Sequence, residues 1–390
     1  MIIEQITDGN SIIDIAEKYN VSPYFIYDIN GICPKDDLMD NEEILVRIPT
    51  RVYNAKKSES IGTLCERFDV SPKELIINNP SLHGREKLYE GQPIVVKYPA
   101  PAMGNIVMNG YYYYGCTPSM LAEKMPYLTS ITVACAVSKQ NNVTLLFDDT
   151  QILKKAKDAG INTFLRIYAD VSCFSSHEQI LLSVILMAKT KDYDGIDLVP
   201  IGYKNTEALS KLMFNARKMA LENDLLLMCE CNMRNDCSHT DFANVSVARF
   251  DKSSNKSIES FEKGEKRFFT SFAEKYEPSA TLIDLSPFAF CGGKYVNKAL
   301  ALQKGRRRNW SFELNNETLE CHVKGQENEN KQYIFEGLSN LKKRMELVGE
   351  LGFMGVSIDV MRTDIRELML ICSSFAPTIG CKGNRGSCIG

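Results

Sequence analysis

Near the N-terminus, apolar residues recur twice with the same spacing. In "SIIDIAEKYNVSPYFIYDIN" (11–30), Ile12, Ile15, Ala16 and Tyr19 fall at i, i+3, i+4 and i+7. "SIGTLCERFDVSPKELIINN" (60–79) repeats the pattern without a gap through Ile61, Leu64, Cys65 and Phe68. This period puts four apolar side chains on one helix face, so each copy is expected to open with a short amphipathic helix. Ser11 with Asp14 can cap the first of these. Ser22-Pro23 and Ser71-Pro72 place a capping hydroxyl and a first-turn proline at the helix that follows, and Glu74 can complete a capping box in the second copy. Each copy closes on a β-rich stretch, "EEILVRIP" or "QPIVVKYP". The result is a strand-helix-helix-strand unit, expected over residues 1–50 and again over 51–100.

"YPAPAMGN" (98–105), with two prolines, reads as a short stiff linker. Beyond it the pattern changes. The strand-like runs "IVMNGYYYY", "SITVACAVS", "NTFLRIYAD", "DGIDLVPI", "DLLLMCECN", "NVSVARF", "ATLIDLSPFAF" and "FMGVSIDVM" alternate with helical periods, such as the stripe Leu209, Leu212, Met213, Ala216, Met219 and Ala220. Eight such runs interleaved with helices predict an α/β chain whose residues 104–390 close into a (β/α)8 TIM barrel. Residues 294–333 are polar and long for a connection, and are expected to form a small inserted element over the barrel mouth.

Composition narrows the possibilities. A net charge of -3 over 390 residues argues against a general nucleic-acid binder, and Arg306-Arg307-Arg308 reads as a solvated loop. No run approaches the ~18 apolar residues of a membrane span. "MIIEQITDGN" lacks a basic segment followed by an apolar core, so it reads as mature domain and synthesis in the cytoplasm is expected. The 13 cysteines are scattered, as expected for buried thiols in a reducing compartment. Cys381 and Cys388 differ, because the tail "CKGNRGSCIG" is Gly-rich and polar; they are either incidental thiols or cross-linking sites in a protein shell. Cys229, Cys231, Cys237 and His239 match no common zinc spacing, so neither a metal nor another cofactor is expected.

The repeated unit, with its "DGNS…IAEKYNVSP…IYDIN" run, resembles the LysM domain. That resemblance implies binding of N-acetylglucosamine polymers, chitin or peptidoglycan, in a shallow groove between two loops. Carried onto this chain, the groove comprises Asp8, Gly9, Asn10 and Ser11 with Ile29, Asn30 and Gly31, and in the second copy Ser58, Glu59 and Ser60 with Asn79, Pro80 and Ser81. Backbone donors and acceptors of such loops can meet acetamido groups while Ile and Pro cover a sugar face. The second copy lacks the loop glycine, and either copy can instead be a spacer or protein-docking module.

The barrel half is similar to family 18 glycoside hydrolases, most of all the bacterial spore-cortex and germination group in which LysM repeats precede the barrel. The similarity runs through "NGYYYY", "PYLTSITVACAVS", "DDTQILKKAKDAGINTFLRI", "YDGIDL" and "EGLSNLKKRMELVGELGFMGVSIDV". Active members carry D-G-x-D-x-D-x-E on the fourth strand. Asp194, Gly195 and Asp197 match its first fixed positions, but Val199 and Ile201 stand where the last aspartate and the glutamate belong. The resemblance implies that this glutamate protonates the glycosidic oxygen, while the aspartate steadies the substrate acetamido group that attacks the anomeric carbon. Ile201 cannot donate a proton and Val199 cannot offset positive charge. Loss of a general acid alone forfeits roughly 10²- to 10⁴-fold in rate.

Other positions point the same way. The aromatic floor expected at the end of the eighth strand falls at Asp359, and the single tryptophan, Trp310, lies in the insertion. The sixth-strand tyrosine is replaced within "SVARF". Glu230, with Asp284 and Asp359 behind it, is the available substitute acid, and the run Tyr111 to Tyr114 offers sugar-stacking faces. Asp194 and Asp197 can also persist for strand-loop hydrogen bonds alone. The expectation is a glycan-binding protein with an inactive glycosidase-like barrel, assembled onto a spore coat or cortex or a cell wall with spore-coat proteins as possible partners. An active N-acetylglucosaminidase and a structural coat protein are the alternatives.

Overall fold

Caps fix where the N-terminal helices begin. The computed structural model describes the chain apart from residues 8, 102, 140–141, 171–176, 202–205, 234, 251–260, 286–288, 292–293, 297, 309, 326–331 and 378–390. Cys381 and Cys388 therefore lie outside the described residues. β1 (Ile2–Gln5) pairs antiparallel with β2 (Glu43–Val46), and helices Ile12–Tyr19 and Pro23–Asn30 lie between them in sequence. β3 (Arg51–Asn54) and β4 (Pro93–Lys97) pair likewise, joined through helices Ile61–Phe68 and Pro72–Asn78. Ser11 with Asp14, and Ser60 with Thr63, exchange both bonds of a capping box. Ser71 accepts from the Glu74 amide, but the reciprocal bond expected of Glu74 is not among its contacts, and Ser22 makes no side-chain cap bond. At that helix Pro23, with its preset φ, starts the turn.

One residue type closes both units in the same way. The Asn30 amide donates to the carbonyls of Ile26 (2.7 Å) and Leu45 (2.8 Å) and accepts from the Leu45 amide (2.9 Å). Asn79 donates to Leu75 (2.9 Å) and Val95 (2.7 Å) and accepts from Val95 (2.8 Å). Each side chain clamps the end of the second helix to the closing strand, so the repeat seen in sequence is a repeat of structure.

The eight apolar runs form a closed parallel barrel. Its strands are β5 (Asn105–Tyr113), β6 (Ser130–Lys139), β8 (Asn162–Asp170), β9 (Gly195–Ile201), β10 (Leu226–Asn232), β11 (Val245–Arg249), β12 (Thr281–Asp284) and β18 (Gly355–Asp359). β5 pairs with both β18 and β6, which closes the ring. β7 (Asn142–Leu145) hairpins onto the end of β6, and β19 (Ala376–Pro377) adds to β5. Between β12 and β18 an antiparallel sheet of β13 (Ala289–Cys291), β14 (Lys294–Tyr295), β15 (Ser311–Leu314), β16 (Glu320–Lys324) and β17 (Gln332–Glu336) forms with helix Lys298–Arg308. This insertion has its own apolar core, in which Trp310 stacks on Tyr333 at 5.6 Å. Among the described residues no helix is long and apolar enough to cross a membrane.

The first unit is built into the rest. Its Ile29 and Leu45 belong to the barrel's main apolar cluster. Glu43 reaches across to helix Leu338–Glu350, accepting from the amides of Leu338 (2.6 Å) and Ser339 (3.1 Å) and from the Ser339 hydroxyl. The helix's own N-cap is Gly337, where a Cβ would lie 2.5 Å from the Glu43 carboxylate. Arg306, expected in a solvated loop, is instead buried in a helix with its guanidinium on Glu42. A run of three arginines could not reveal this, because the partner comes from a different part of the fold.

Candidate functional site

Alternation along the barrel strands decides which side chains face the axis. On β9 these are Asp197, Val199 and Ile201, the first two level with Arg166 and Tyr168 of β8. Asp197 is 0% exposed and Val199 half-buried, whereas Ile201 is 47% exposed at the open end of the strand. Asp194, preceding β9, accepts from the Thr163 amide (2.8 Å) and hydroxyl (3.0 Å) and so ties β9 to β8. The two aspartates that match the motif thus hold separate posts.

Asp197 begins a chain of alternating charges across the barrel. Its Oδ2 accepts from Arg166 at 2.9 Å; Arg166 reaches Glu230 at 2.5 Å; Arg249 reaches Glu230 at 3.1 Å and Asp284 at 2.9 Å. Arg166 also donates to the Tyr111 hydroxyl at 2.7 Å, and both guanidinium groups lie over the Tyr111 ring. Burial alone would lower the pKa of Arg166, but Tyr111, Asp197 and Glu230 around it hold it well above the ordinary value. Glu230, the candidate substitute acid, has one carboxylate oxygen between two guanidinium groups and serves as their shared counter-ion. Asp284 is likewise engaged by Arg249.

At the end of β18, Asp359 is buried at the position where the resemblance implies an aromatic floor. It accepts from the Tyr113 hydroxyl at 3.0 Å and from the amides of Met361 and Arg362. Burial raises its pKa, with Arg362 opposing. Tyr111 lies inside the barrel, Tyr112 in the outer core, and Tyr114 is exposed. The two arginines went unread in the sequence although "FLRIYAD" and "SVARF" place them on the inward register, which was the signal available. Among the described residues no cluster of three or more His, Cys, Asp or Glu is placed to hold a metal. The Cys237 thiol points instead to the carbonyls of Asn232 and Asn235.

The expected groove residues divide into two groups. Ile29 is buried in the barrel core and cannot cover a sugar, and the amides of Asn30 and Asn79 are consumed by the clamps. All three side chains are buried, which their loop positions in the sequence do not reveal. Gly9, Asn10, Ser11 and Gly31 are exposed, although the Ser11 hydroxyl caps a helix. In the second unit Ser58 is exposed and Ser60 caps, while Glu59 holds Tyr53 and the Lys56 amide. Pro80 is half-buried, and next to it Ser81 meets Tyr24 at 3.0 Å and Asp28 at 2.9 Å, joining the second unit to the first.

Residues 53–97 match the model of the LysM domain. Among curated proteins none matches this sequence. The crystal structures of the spore cortex-lytic enzyme SleL from Bacillus megaterium QM B1551 and from Bacillus cereus each superpose with a TM-score of 0.72. Sequence identity is 15% and 14%, over 96% and 97% of this chain and 98% and 99% of theirs. A chitinase from Chromobacterium violaceum ATCC 12472 superposes with a TM-score of 0.57 at 11% identity, over 69% of this chain and 98% of its own. At these identities the likeness establishes the fold: a LysM domain and a family 18-like barrel on one chain.

Proposed function

We propose that this chain binds an N-acetylglucosamine polymer of the peptidoglycan or chitin type, at a spore cortex or cell wall, and that its barrel serves as a platform without hydrolytic chemistry. One observation carries the second half of the reading. Where a sugar bond would meet an acid and a counter-charge stand Ile201 and Val199, and the nearby carboxylates of Asp197, Glu230 and Asp284 are all engaged by Arg166 and Arg249. A general acid must reach the leaving oxygen and carry a transferable proton. Glu230, shared between two guanidinium groups, is arranged as a charge partner instead.

Glycan binding is supported by the LysM match at residues 53–97, by the same fold in residues 1–50, and by the exposed loop backbone at Gly9, Asn10, Ser11 and Gly31. Ser60 and Pro80 are the corresponding contacts offered by the second unit. The expected result is co-sedimentation of the full chain with insoluble peptidoglycan or chitin, with no reducing ends released. Multiple-turnover release from peptidoglycan or chitin oligomers, abolished by Glu230→Gln, would overturn the platform reading. Failure to sediment with either polymer would overturn the binding reading.

A further inference from the structure

A cavity of about 400 Å³ lies where the first unit, the barrel rim and the insertion meet, away from the charge chain. Its walls come from four segments: Asn30, Gly31 and Asp36 of the first unit; Met120, Glu123 and Lys124 of helix Pro118–Lys124; helix Lys298–Arg308; and residues 360–366 after β18. The volume falls in the ~300–1,000 Å³ range of small-molecule clefts. Gly31, on the loop expected to form the sugar groove, opens into it.

The polar groups of these walls are not equally occupied. Asp36 accepts from the Cys33 amide and sits 3.8 Å from Arg306; Asp364 accepts from the Glu367 amide and from Arg366. Two donors stand apart. Lys124 is only 7% exposed, yet its one ion pair among the described residues is a 3.5 Å approach to the exposed Glu123. Thr363 is 3% exposed and its hydroxyl has no partner among the described residues. A buried ammonium with one long contact and an unmatched hydroxyl are costly unless something accepts from them. Val360, Leu302 and Ile365 supply apolar wall beside them.

We propose that this cavity is a carboxylate-recognising sugar subsite, in which Lys124 and Thr363 bind the acid group of an acidic amino sugar while the apolar wall covers its carbon face. The assignment rests on the glycan-binding reading and makes it specific: the ligand is a muramic acid-type residue, and a neutral amino sugar lacks the group the site holds. The acid group arrives on a sugar because Gly31 links the cavity to the loop where the glycan is expected.

The test uses the full chain, titrated by NMR with N-acetylmuramic acid and, separately, with N-acetylglucosamine. The expected result is tighter binding of the acidic sugar by about tenfold, the scale of one charged hydrogen bond. Lys124→Gln should remove that preference and leave the neutral sugar unaffected. Thr363→Val, a smaller change, should weaken the acidic sugar several-fold, and thermal melting of both variants shows whether they fold. Equal binding of the two sugars, or undiminished preference in folded Lys124→Gln and Thr363→Val, overturns the subsite. Sedimentation with insoluble peptidoglycan separates the two levels: a chain that sediments without preferring the acidic sugar refutes the subsite alone, and one that does neither refutes the glycan reading as well.

Discussion

Replacing Glu43 by alanine tests whether the first unit is part of the barrel's structure. Its carboxylate caps a helix almost 300 residues away in sequence, with bonds of 2.6 Å and 3.1 Å to the Leu338 and Ser339 amides and a third to the Ser339 hydroxyl. Gly337 offers no side chain to take over. Losing a hydrogen bond to a charged group costs about 1.5–3 kcal/mol, and the favourable placement of an anion at a helix N-terminus adds about 0.3–1 kcal/mol. Water entering the vacated space recovers part of this, so the net expectation is about 2–4 kcal/mol. Glu43→Gln should fall between, since one amide oxygen can serve only one of the two sides. The assay is urea unfolding combined with hydrogen exchange: the midpoint should drop, and the Leu338 and Ser339 amides should exchange faster than those deeper in the helix. A midpoint shift below about 0.5 kcal/mol with unchanged protection at those amides would show that the contact does not anchor the unit.

Arg166→Met should destabilise the barrel by about 3–5 kcal/mol in chemical denaturation, since it strands the buried Asp197 carboxylate and leaves Glu230 with Arg249 alone; a neutral outcome would mean the chain of charges is dispensable. Asn30→Ala and Asn79→Ala should each cost about 2–3 kcal/mol while folded protein still sediments with peptidoglycan; lost sedimentation at an unchanged midpoint would return these residues to the groove. Burial pushes the Asp28 carboxyl up to about 6, with the Ser81 hydrogen bonds opposing, against about 3.9 in an unfolded chain. Between those values the folded chain holds a proton that the unfolded chain has released, so this group's contribution to stability falls as pH rises from about 4 to about 6. Asp28→Asn keeps an acceptor for the Ser81 amide and should flatten that slope; parallel pH-stability curves for parent and variant would contradict it.

The parts of the fold that were legible in the sequence are those set by local periodicity. The repeated i, i+3, i+4, i+7 spacing and the serine caps placed the N-terminal helices, and the eight apolar runs became the eight barrel strands, because each signal lies within one element. Long-range partners were not legible. Arg306 finds Glu42 more than 260 residues away, and Ile29, a reasonable sugar-facing residue by its loop position, enters the barrel core because the first unit docks there. At the candidate site the apolar identity of Val199 and Ile201 was readable from the sequence alone. What occupied the space was not, because Arg166 and Arg249 gain meaning only when neighbouring strands bring Asp197, Glu230 and Asp284 beside them.

The charges in the barrel interior depend on one another. Aspartates and glutamates pointing into a barrel have to be paired, and each arginine here pairs two carboxylates, so deleting Arg166 strands Asp197 and deleting Arg249 takes a cation from both Glu230 and Asp284. A glutamate placed at Ile201 would stand at the exposed end of β9, while the carboxylates of Asp197 and Glu230 are already engaged by Arg166. It would lack the neighbouring aspartate that steadies the acetamido group, since Val199 stands between it and Asp197. The same network holds β8, β9, β10, β11 and β12 together across the barrel, which suits a scaffold that keeps the first unit, the insertion and the cavity between them in fixed relation.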